Sequence, residues 1–281
     1  ARSLPSLQID GTDIITSRHA LELRDKPEAV AIIGASAIGC EFAYYFNSYG
    51  VNVMMFEMLQ NLVPREDEEV SIELERQFSQ QGIEFATSAD VSGVEKRDGR
   101  LAVQYEVSGK KQEFICDKVL LGVGVQPNTD QIGLENVGIN TNDAGYIEVD
   151  GNMRTNVSGV YAVGDVNGKL QLAHVAFDQG VVAAETIAGH ETTPIDNYTN
   201  MPRCTYCQPQ IASIGLTEAQ AKEQGINVKI GKVPFQVAGK SVAIGEPYGF
   251  AKVITNDDSG EVIGAHIIGP EATELIAEIG M

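Results

Sequence analysis

The sequence predicts an α/β fold, a parallel sheet wrapped by helices, followed by a smaller segment that mixes strands with short helices. Three observations predict it. Apolar strand-like runs alternate with helix-period segments from Val30 onward, as in βαβ units. The first unit turns through Gly34-Ala35-Ser36-Ala37-Ile38-Gly39 and returns to an apolar strand that ends on Glu57. From Met201 the pattern becomes a strand, a capped helix and at least three further strand-like runs.

Residues 1–28 carry Pro5, Gly11 and a short helical patch, His19 to Leu23, that stops near Pro27. They read as a connector into the first unit. Val30 to Glu57 then reads as strand, glycine turn, amphipathic helix and strand, a Rossmann-like arrangement. Its turn brings the N–H groups and positive dipole end of the helix towards a pyrophosphate. Glu57 stands eighteen residues beyond Gly39, near the spacing at which such units hold a ribose diol. A carboxylate there accepts the 2′- and 3′-hydroxyls and repels a 2′-phosphate, which favours NAD over NADP. The middle glycine of G-x-G-x-x-G is Ser36. Its hydroxyl can donate to a phosphate oxygen, and its Cβ pushes a cofactor outward. The bland alternative is a strand–helix turn that holds no ligand.

After Pro64, Glu66-Asp67-Glu68-Glu69 complements a helix dipole and leads into a helix with Val70, Leu74 and Phe78 on one face and Gly82 at its end. A strand begins at Ile83, and Leu101–Val107 with Glu113–Cys116 reads as a hairpin around Ser108 to Lys111. Val119 to Gly124 is a buried strand ending in glycines, where backbone can meet a ligand closely. From Gln126 the chain is loop-rich until a strand that runs through Val160 to Gly164-Asp165, a seat for a polar ligand. An Ala-rich helix follows over Val175–Ile187. Beyond Met201 come a strand at Ile211–Gly215 and a helix that opens at Thr217 with Gln220 three residues on, a capping box. Ala272–Ile279 reads as a last helix.

Composition excludes several classes. Apolar residues make up 43% and charged residues 21%, ordinary for a soluble globular chain, and no apolar run reaches the ~20 residues of a membrane span. With 20 basic and 39 acidic residues the net charge is −19, which disfavours nucleic acid and anionic membrane as partners. The start lacks a secretory pattern and an initiator Met. Cys40, Cys116, Cys204 and Cys207 make no disulfide framework and suit a reducing cytosol. Cys204-Thr205-Tyr206-Cys207 invites a redox or zinc reading, yet no second Cys or His pair stands at zinc spacing, so the plainer expectation is two thiols at a strand start.

Four motifs in sequence carry a family resemblance: Gly34–Glu41 with Glu57; Gly122-Val123-Gly124-Val125-Gln126-Pro127-Asn128; Gly159 to Val166 followed by Leu172-Ala173-His174; and Ala212 to Glu218 with Ile267 to Ala272. On these the chain, over essentially all 281 residues, resembles the dihydrolipoamide dehydrogenases within the pyridine-nucleotide disulfide oxidoreductases. The resemblance implies electron transfer from dihydrolipoamide through an enzyme disulfide and FAD to NAD. It implies an FAD-domain tail and connector over 1–25, an NAD-binding domain over 26–125, part of an FAD-binding domain over 126–198 and an incomplete dimerisation domain over 199–281. Gly34, Ala35, Ser36, Ala37, Ile38 and Gly39 would hold the NAD pyrophosphate. Glu41 would lie by the nicotinamide, Glu57 on the adenosine ribose, and Val91 and Gly124 at the adenine and nicotinamide ends. Asp165 would bond the FAD ribityl or phosphate region, with Gln171, Leu172, Ala173 and His174 lining the flavin, His174 mainly through its backbone. Val125 stands where this family commonly has Arg.

By the same resemblance the chain is cut at both ends. The first FAD-binding βαβ, the C-x-x-x-x-C redox pair and the C-terminal His–Glu dyad are not among these residues, so no catalytic residue is expected here. His266 and Glu271 have the dyad's spacing of five but match the strand and turn that precede it. The chain alone is expected to bind NAD and dimerise without turnover. Mercuric reductases and soluble transhydrogenases share the nucleotide motifs, and a non-catalytic binding module is the other class. A homodimer is expected, in a cytoplasmic or plastid-stromal setting, with 2-oxoacid dehydrogenase complexes met through a lipoyl domain as partners of the parent.

Overall fold

The computed structural model describes residue 2, residue 4 and residues 7–280. Pro5 of the leading stretch and Met281 lie outside them. The chain divides into two compact units, one formed by residues up to Gly124 together with those from Pro202, the other by Val125–Met201.

The first unit opens with β1 (Ile14–Ile15) and α1 (Ser17–Leu21), then runs β2 (Ala29–Ile33), α2 (Ala37–Ser48), β3 (Asn52–Phe56), α3 (Glu68–Gln81) and β4 (Glu84–Ala86). An antiparallel sheet of β5 (Asp90–Arg97), β6 (Arg100–Val107) and β7 (Lys110–Cys116) intervenes before β8 (Lys118–Leu121) rejoins the main sheet. That sheet is parallel, in the order β1-β8-β2-β3-β4. The stretch read as a connector therefore supplies an edge strand, Ile14 and Ile15 pairing with Val119 and Leu120. The predicted hairpin exists, but around a two-residue turn in which Ser108 and Gly109 both have positive φ, so its second strand starts at Lys110.

β2 shows why the strand reads as uninterrupted apolar sequence. Val30 and Ile32 face a core with Ala43 and Phe46 of α2 and Val70, Leu74 and Phe78 of α3. Ala29, Ala31 and Ile33 face a second core with Leu101, Val103 and Tyr105 of β6. Both faces are covered, as parallel sheets require. α3 starts where its acidic run predicts. Asp67 is the N-cap and accepts the Glu69 N–H, while Gly82 ends the helix in the left-handed conformation.

Val125–Met201 holds α4 (Leu134–Val137) and α5 (Ala173–Ala188). The strand expected before Gly164-Asp165 does not form. Tyr161 makes one isolated bridge to Arg154, and Gly164–Asn167 is a 3-10 turn. Extended residues become a strand only against a continuous partner, and the described residues here offer a single bridge.

The rest of the first unit is β9 (Arg203–Thr205), β10 (Gln210–Gly215), α6 (Glu218–Glu223), β11 (Val228–Pro234), α7 (Gly239–Ala243), β12 (Phe250–Asn256), β13 (Val262–Gly269) and α8 (Ala272–Gly280). Its strands form an antiparallel sheet in the order β11-β12-β13-β10-β9. One face, with Ala212, Ile214, Ala265 and Ile267, packs on Ala272 and Ile276 of α8. The other face sends Ile211, Phe250 and Ile268 into the core shared with α2 and α3. The predicted capping box at Thr217 and Gln220 is present in both directions.

Candidate dinucleotide sites

In the parallel sheet β2 has β3 on one side and β8 on the other. From β2 the strand order runs through β3 to β4 on one side and through β8 to β1 on the other, and open α/β sheets bind ligands outside the carboxyl ends of strands where the strand order reverses. Gly34 follows β2, Glu57 follows β3 and Gly122 follows β8, so the three central strands of the five are followed by residues singled out in the sequence.

The glycines there are fixed by backbone packing. Gly34 has φ +97°, and a Cβ on it would lie 2.7 Å from the Gly122 carbonyl oxygen. A Cβ on Gly39 would overlap the carbonyl oxygen of Gly34 itself. The turn is stitched by the Gly34 N–H to Phe56 O (2.8 Å) and the Gly122 N–H to Ile33 O (2.7 Å). Gly122 was not singled out for this role, although the glycine-terminated strand was its signal. Ser36 is different: it is exposed, and its hydroxyl donates to Gly122 O at 3.4 Å rather than capping α2. The first-turn N–H groups of α2 thus lack a side-chain cap, as an anion-binding helix start needs.

Glu57 is buried, and both carboxylate oxygens are engaged. Oε2 accepts the Ala35 N–H (2.8 Å) and Oε1 the Leu59 N–H (3.0 Å). The acid therefore braces the glycine turn from the end of β3. An ionised carboxylate has about four acceptor positions, so each oxygen retains one for a hydroxyl. Val91, in β5, is half-buried and packs on the core beneath Phe56. Its strand is reached through Ala89, whose N–H donates to Glu57 O at 2.9 Å. Gly124 has φ +97° and open space where a Cβ would stand.

Glu41 lies on α2 just beyond the glycine turn. Its Oε1 accepts the backbone N–H of Tyr206 at 2.9 Å, a contact no sequence signal announced. Burial pushes its carboxyl above the usual range, and the Tyr206 N–H pulls the other way. It borders an open cavity of about 430 Å³ lined by Tyr44, Tyr45, Ser48, Tyr49 and Tyr206. The residues present thus fit a dinucleotide: an uncapped helix start, a ribose-range acid and a half-buried carboxylate beside an aromatic recess.

In the second unit the FAD candidates gather on two adjoining elements. Asp165 is exposed in the 3-10 turn, and Leu172 is the N-cap of α5, with Ala173 and His174 exposed in its first turn. Gln171 donates to the Tyr146 hydroxyl at 3.0 Å. Gln179, fully buried and missed in the sequence, holds the turn to the helix. Its Oε1 accepts from Gly164 N (2.7 Å) and Asn167 Nδ2 (2.9 Å), and its Nε2 donates to the Tyr198 hydroxyl (3.0 Å). An exposed acid beside an uncapped helix start fits the ribityl and phosphate region of a flavin nucleotide.

The remaining polar candidates have structural surroundings. All four cysteines are free thiols. Burial pushes Cys40 and Cys207 far up, Cys116 to about 11, and Cys204 up. Among the described residues no group of three or more His, Cys, Asp or Glu could hold a metal ion. His266 is fully buried in β13 and meets Leu216 O at 3.0 Å, whereas Glu271 is exposed at φ +57°. No helix among the described residues is long and apolar enough to cross a membrane.

Comparison with known proteins agrees with this geometry. Residues 3–180 match the family described as pyridine nucleotide-disulphide oxidoreductase, and residues 201–281 match the dimerisation domain of that family. The dihydrolipoyl dehydrogenase of Mycobacterium leprae is 44% identical over 268 residues, 95% of this chain and 57% of that protein. That of Bacillus subtilis is 40% identical over 282 residues, covering 100% of this chain and 59% of its own length. Among solved structures, LpdA from Mycobacterium tuberculosis superposes with a TM-score of 0.90 at 29% identity, over 100% of this chain and 60% of that one. The HOCl-induced flavoprotein disulfide reductase RclA from Escherichia coli gives 0.91 at 25% identity, over 100% and 64%. The chain spans less than two thirds of the length of these relatives. With the glycine turn, the switch-point acid and the antiparallel sheet all in place, the chain belongs to the pyridine nucleotide-disulphide oxidoreductase family.

Proposed function

We propose that this chain is the NAD-binding and dimerising part of a dihydrolipoyl dehydrogenase, an enzyme that oxidises dihydrolipoamide through a redox disulfide and FAD to NAD. The observation that carries the reading is Glu57 at the switch point, bonded to the turn whose helix start faces outward uncapped. The 40–44% identity to dihydrolipoyl dehydrogenases supports this substrate over that of another flavoprotein disulfide reductase.

In this reading residues 26–125 bind NAD, 126–198 contribute to the FAD site and 199–281 form a homodimer. The parent meets 2-oxoacid dehydrogenase complexes through their lipoyl domains. Bound flavin and nicotinamide supply the hydride chemistry. The chain's own residues bind and orient. The Gly34–Gly39 turn, Ser36 included, and the α2 N–H groups take the pyrophosphate, Glu57 accepts the ribose hydroxyls, and Glu41 fixes the carboxamide end, its position set by the Tyr206 N–H. Asp165, Gln171, Leu172, Ala173 and His174 do the corresponding work for FAD.

Titration of NAD and NADP against wild type, Glu57→Gln and Glu57→Ala tests the reading. A hydrogen bond to a charged group contributes about 1.5–3 kcal/mol, so Glu57→Ala should raise the Kd for NAD roughly 10- to 100-fold and reduce discrimination against NADP. Glu57→Gln keeps one acceptor oxygen and should fall between. Equal NAD affinities for all three proteins would overturn the ribose assignment.

A further inference from the structure

The face of the antiparallel sheet turned towards α3 carries a row of polar residues in direct register. Arg203 of β9 lies opposite Ser213 of β10, Ser213 opposite His266 of β13, His266 opposite Lys252 of β12, and Lys252 opposite Lys232 of β11. Above the row runs the acidic lead into α3. At one end ions close the joint: Lys252 Nζ, fully buried, meets Asp67 Oδ1 (2.9 Å), Glu69 Oε2 (2.8 Å) and Glu218 Oε2 (2.8 Å), and Lys232 pairs with Glu69.

The other end closes differently. Among the described residues four buried side-chain atoms lack a hydrogen-bond partner in the protein, namely Glu66 Oε2, Arg203 Nε, Ser213 Oγ and His266 Nδ1. Three of their residues are consecutive in the row, and the fourth is the acid above it, with Glu66 Oε1 3.8 Å from Arg203 Nε. Ser213 and His266 are both fully buried. Buried polar groups are satisfied in nearly every folded protein, so four neighbours left over together point to a shared partner.

From these atoms we infer that one buried water molecule is bound between Glu66, Arg203, Ser213 and His266. Hydrogen-bond valence singles out its chemistry. His266 Nε2 faces the carbonyl of Leu216, which can only accept, so Nε2 carries the proton and Nδ1 of the neutral ring presents a lone pair. The four atoms then offer two acceptors, Glu66 Oε2 and His266 Nδ1, and two donors, Arg203 Nε–H and the Ser213 hydroxyl. Water has two protons and two lone pairs, and buried waters make up to about four such bonds. A cation is excluded by the Arg203 guanidinium, and an anion by the Glu66 carboxylate and the imidazole lone pair. Serine is the short member of the row and stands between the longer arginine and histidine on adjacent strands. The water thus joins the dimerisation sheet to the lead of α3, as Lys252 does with charge two strands away.

A crystal structure of the chain resolving ordered solvent tests this, together with ¹⁵N NMR of the His266 ring in wild type and Ser213→Val. Expected are a single solvent peak at hydrogen-bonding distance from at least three of the four atoms, about 2.7–3.2 Å, and a hydrogen-bonded, unprotonated Nδ1 resonance. In Ser213→Val the added methyls should displace the peak and shift that resonance to an unbonded value. Glu66 or Arg203 bonded directly to Ser213 or His266 with no solvent peak would overturn the assignment, as would an Nδ1 that is unbonded or protonated at neutral pH in wild type. The wild-type measurements decide the question if Ser213→Val does not fold.

Discussion

Replacing Lys252 by Met tests how the antiparallel sheet is held to the nucleotide-binding sheet. Methionine matches the length of the lysine stem, so the change removes a charge and leaves the packing. Lys252 has a side-chain exposure of 1% and Asp67 one of 3%, whereas Glu69 and Glu218 are 42% and 29% exposed. The two glutamates can turn to water. Asp67 cannot, though it keeps the N–H groups of Glu69 and Glu218 at 3.2 Å each. Removing one partner of a buried pair costs about 3–5 kcal/mol, and these retained bonds place the cost near the lower figure, roughly a hundredfold in the unfolding constant.

The assay is urea unfolding, with Lys252→Met, Asp67→Asn and the double variant compared at neutral pH. The double variant should recover much of the loss, because it no longer buries an unpaired carboxylate. Against the opposing effect of burial, Lys252 holds Asp67 below its usual range, Lys232 and Lys252 do the same for Glu69, and Lys222 with Lys252 for Glu218. The stability they contribute is present above their unfolded values and is lost as acid protonates them. The gap between wild type and Lys252→Met should therefore be full above about pH 5 and narrow below it. A single-variant cost under about 1 kcal/mol, or a double variant that merely sums the two losses, would refute the idea that a buried, charge-dependent clasp makes this joint.

Two further outcomes follow from the same geometry. Gly39→Ala places a methyl on the Gly34 carbonyl oxygen with backbone on both sides, so it should lose about 3 kcal/mol in thermal or urea unfolding and abolish NAD binding measured by titration. Wild-type stability should fall with acid in two windows. Burial lowers the His266 pKa below its ordinary 6.5, so the unfolded chain binds the proton first and stability drops as pH falls from about 6.5 to the lower folded value. Glu218, held at about 2 by Lys222 and Lys252, contributes stability that is lost between about pH 4.5 and 2. In His266→Gln the urea midpoint should not show the upper window, and an unchanged profile would dismiss that assignment.

What the sequence discloses here is local chemistry, and what it conceals is register. Val70, Leu74 and Phe78 recur at helical spacing, and all three are fully buried. Thr217 with Gln220, and Gly82, mark helix ends because their bonds are to neighbours a few residues away. β5 carries no clear strand signal because Asp90–Arg97 is rich in charge and exposed or half-buried throughout, with a register shift between Val91 and Gly93 that breaks its alternation. Lys252 and His266 look like solvent-facing positions of amphipathic strands. Only the pairing of β12, β13 and β10 puts them in one buried row under the Glu66–Glu69 run, residues near 67 and 252 being 185 apart. The Tyr206 N–H on Glu41 and the Gln179 brace are of the same kind. Each joins positions that the sequence gives no reason to associate.

The serine in the glycine turn shows how protein and ligand divide the demands on a motif. Gly34 and Gly39 face backbone of their own chain, and a side chain at either would collide with a carbonyl that no rotamer change can move. Their constraint exists whether or not a dinucleotide is bound. The middle position is exposed, with φ −78° and ψ −170°, an ordinary extended conformation. Nothing in the protein requires glycine there, so any requirement comes from the pyrophosphate alone. Ser36 meets that requirement by leaning its hydroxyl onto Gly122 O, away from a capping position, which leaves the helix start open to an anion. The carboxylate of Glu57 reinforces the arrangement from the other side by accepting the Ala35 N–H. In the reading proposed above, the acid that would sort NAD from NADP also sets the turn on which the pyrophosphate would rest, so the two halves of dinucleotide recognition would share one side chain.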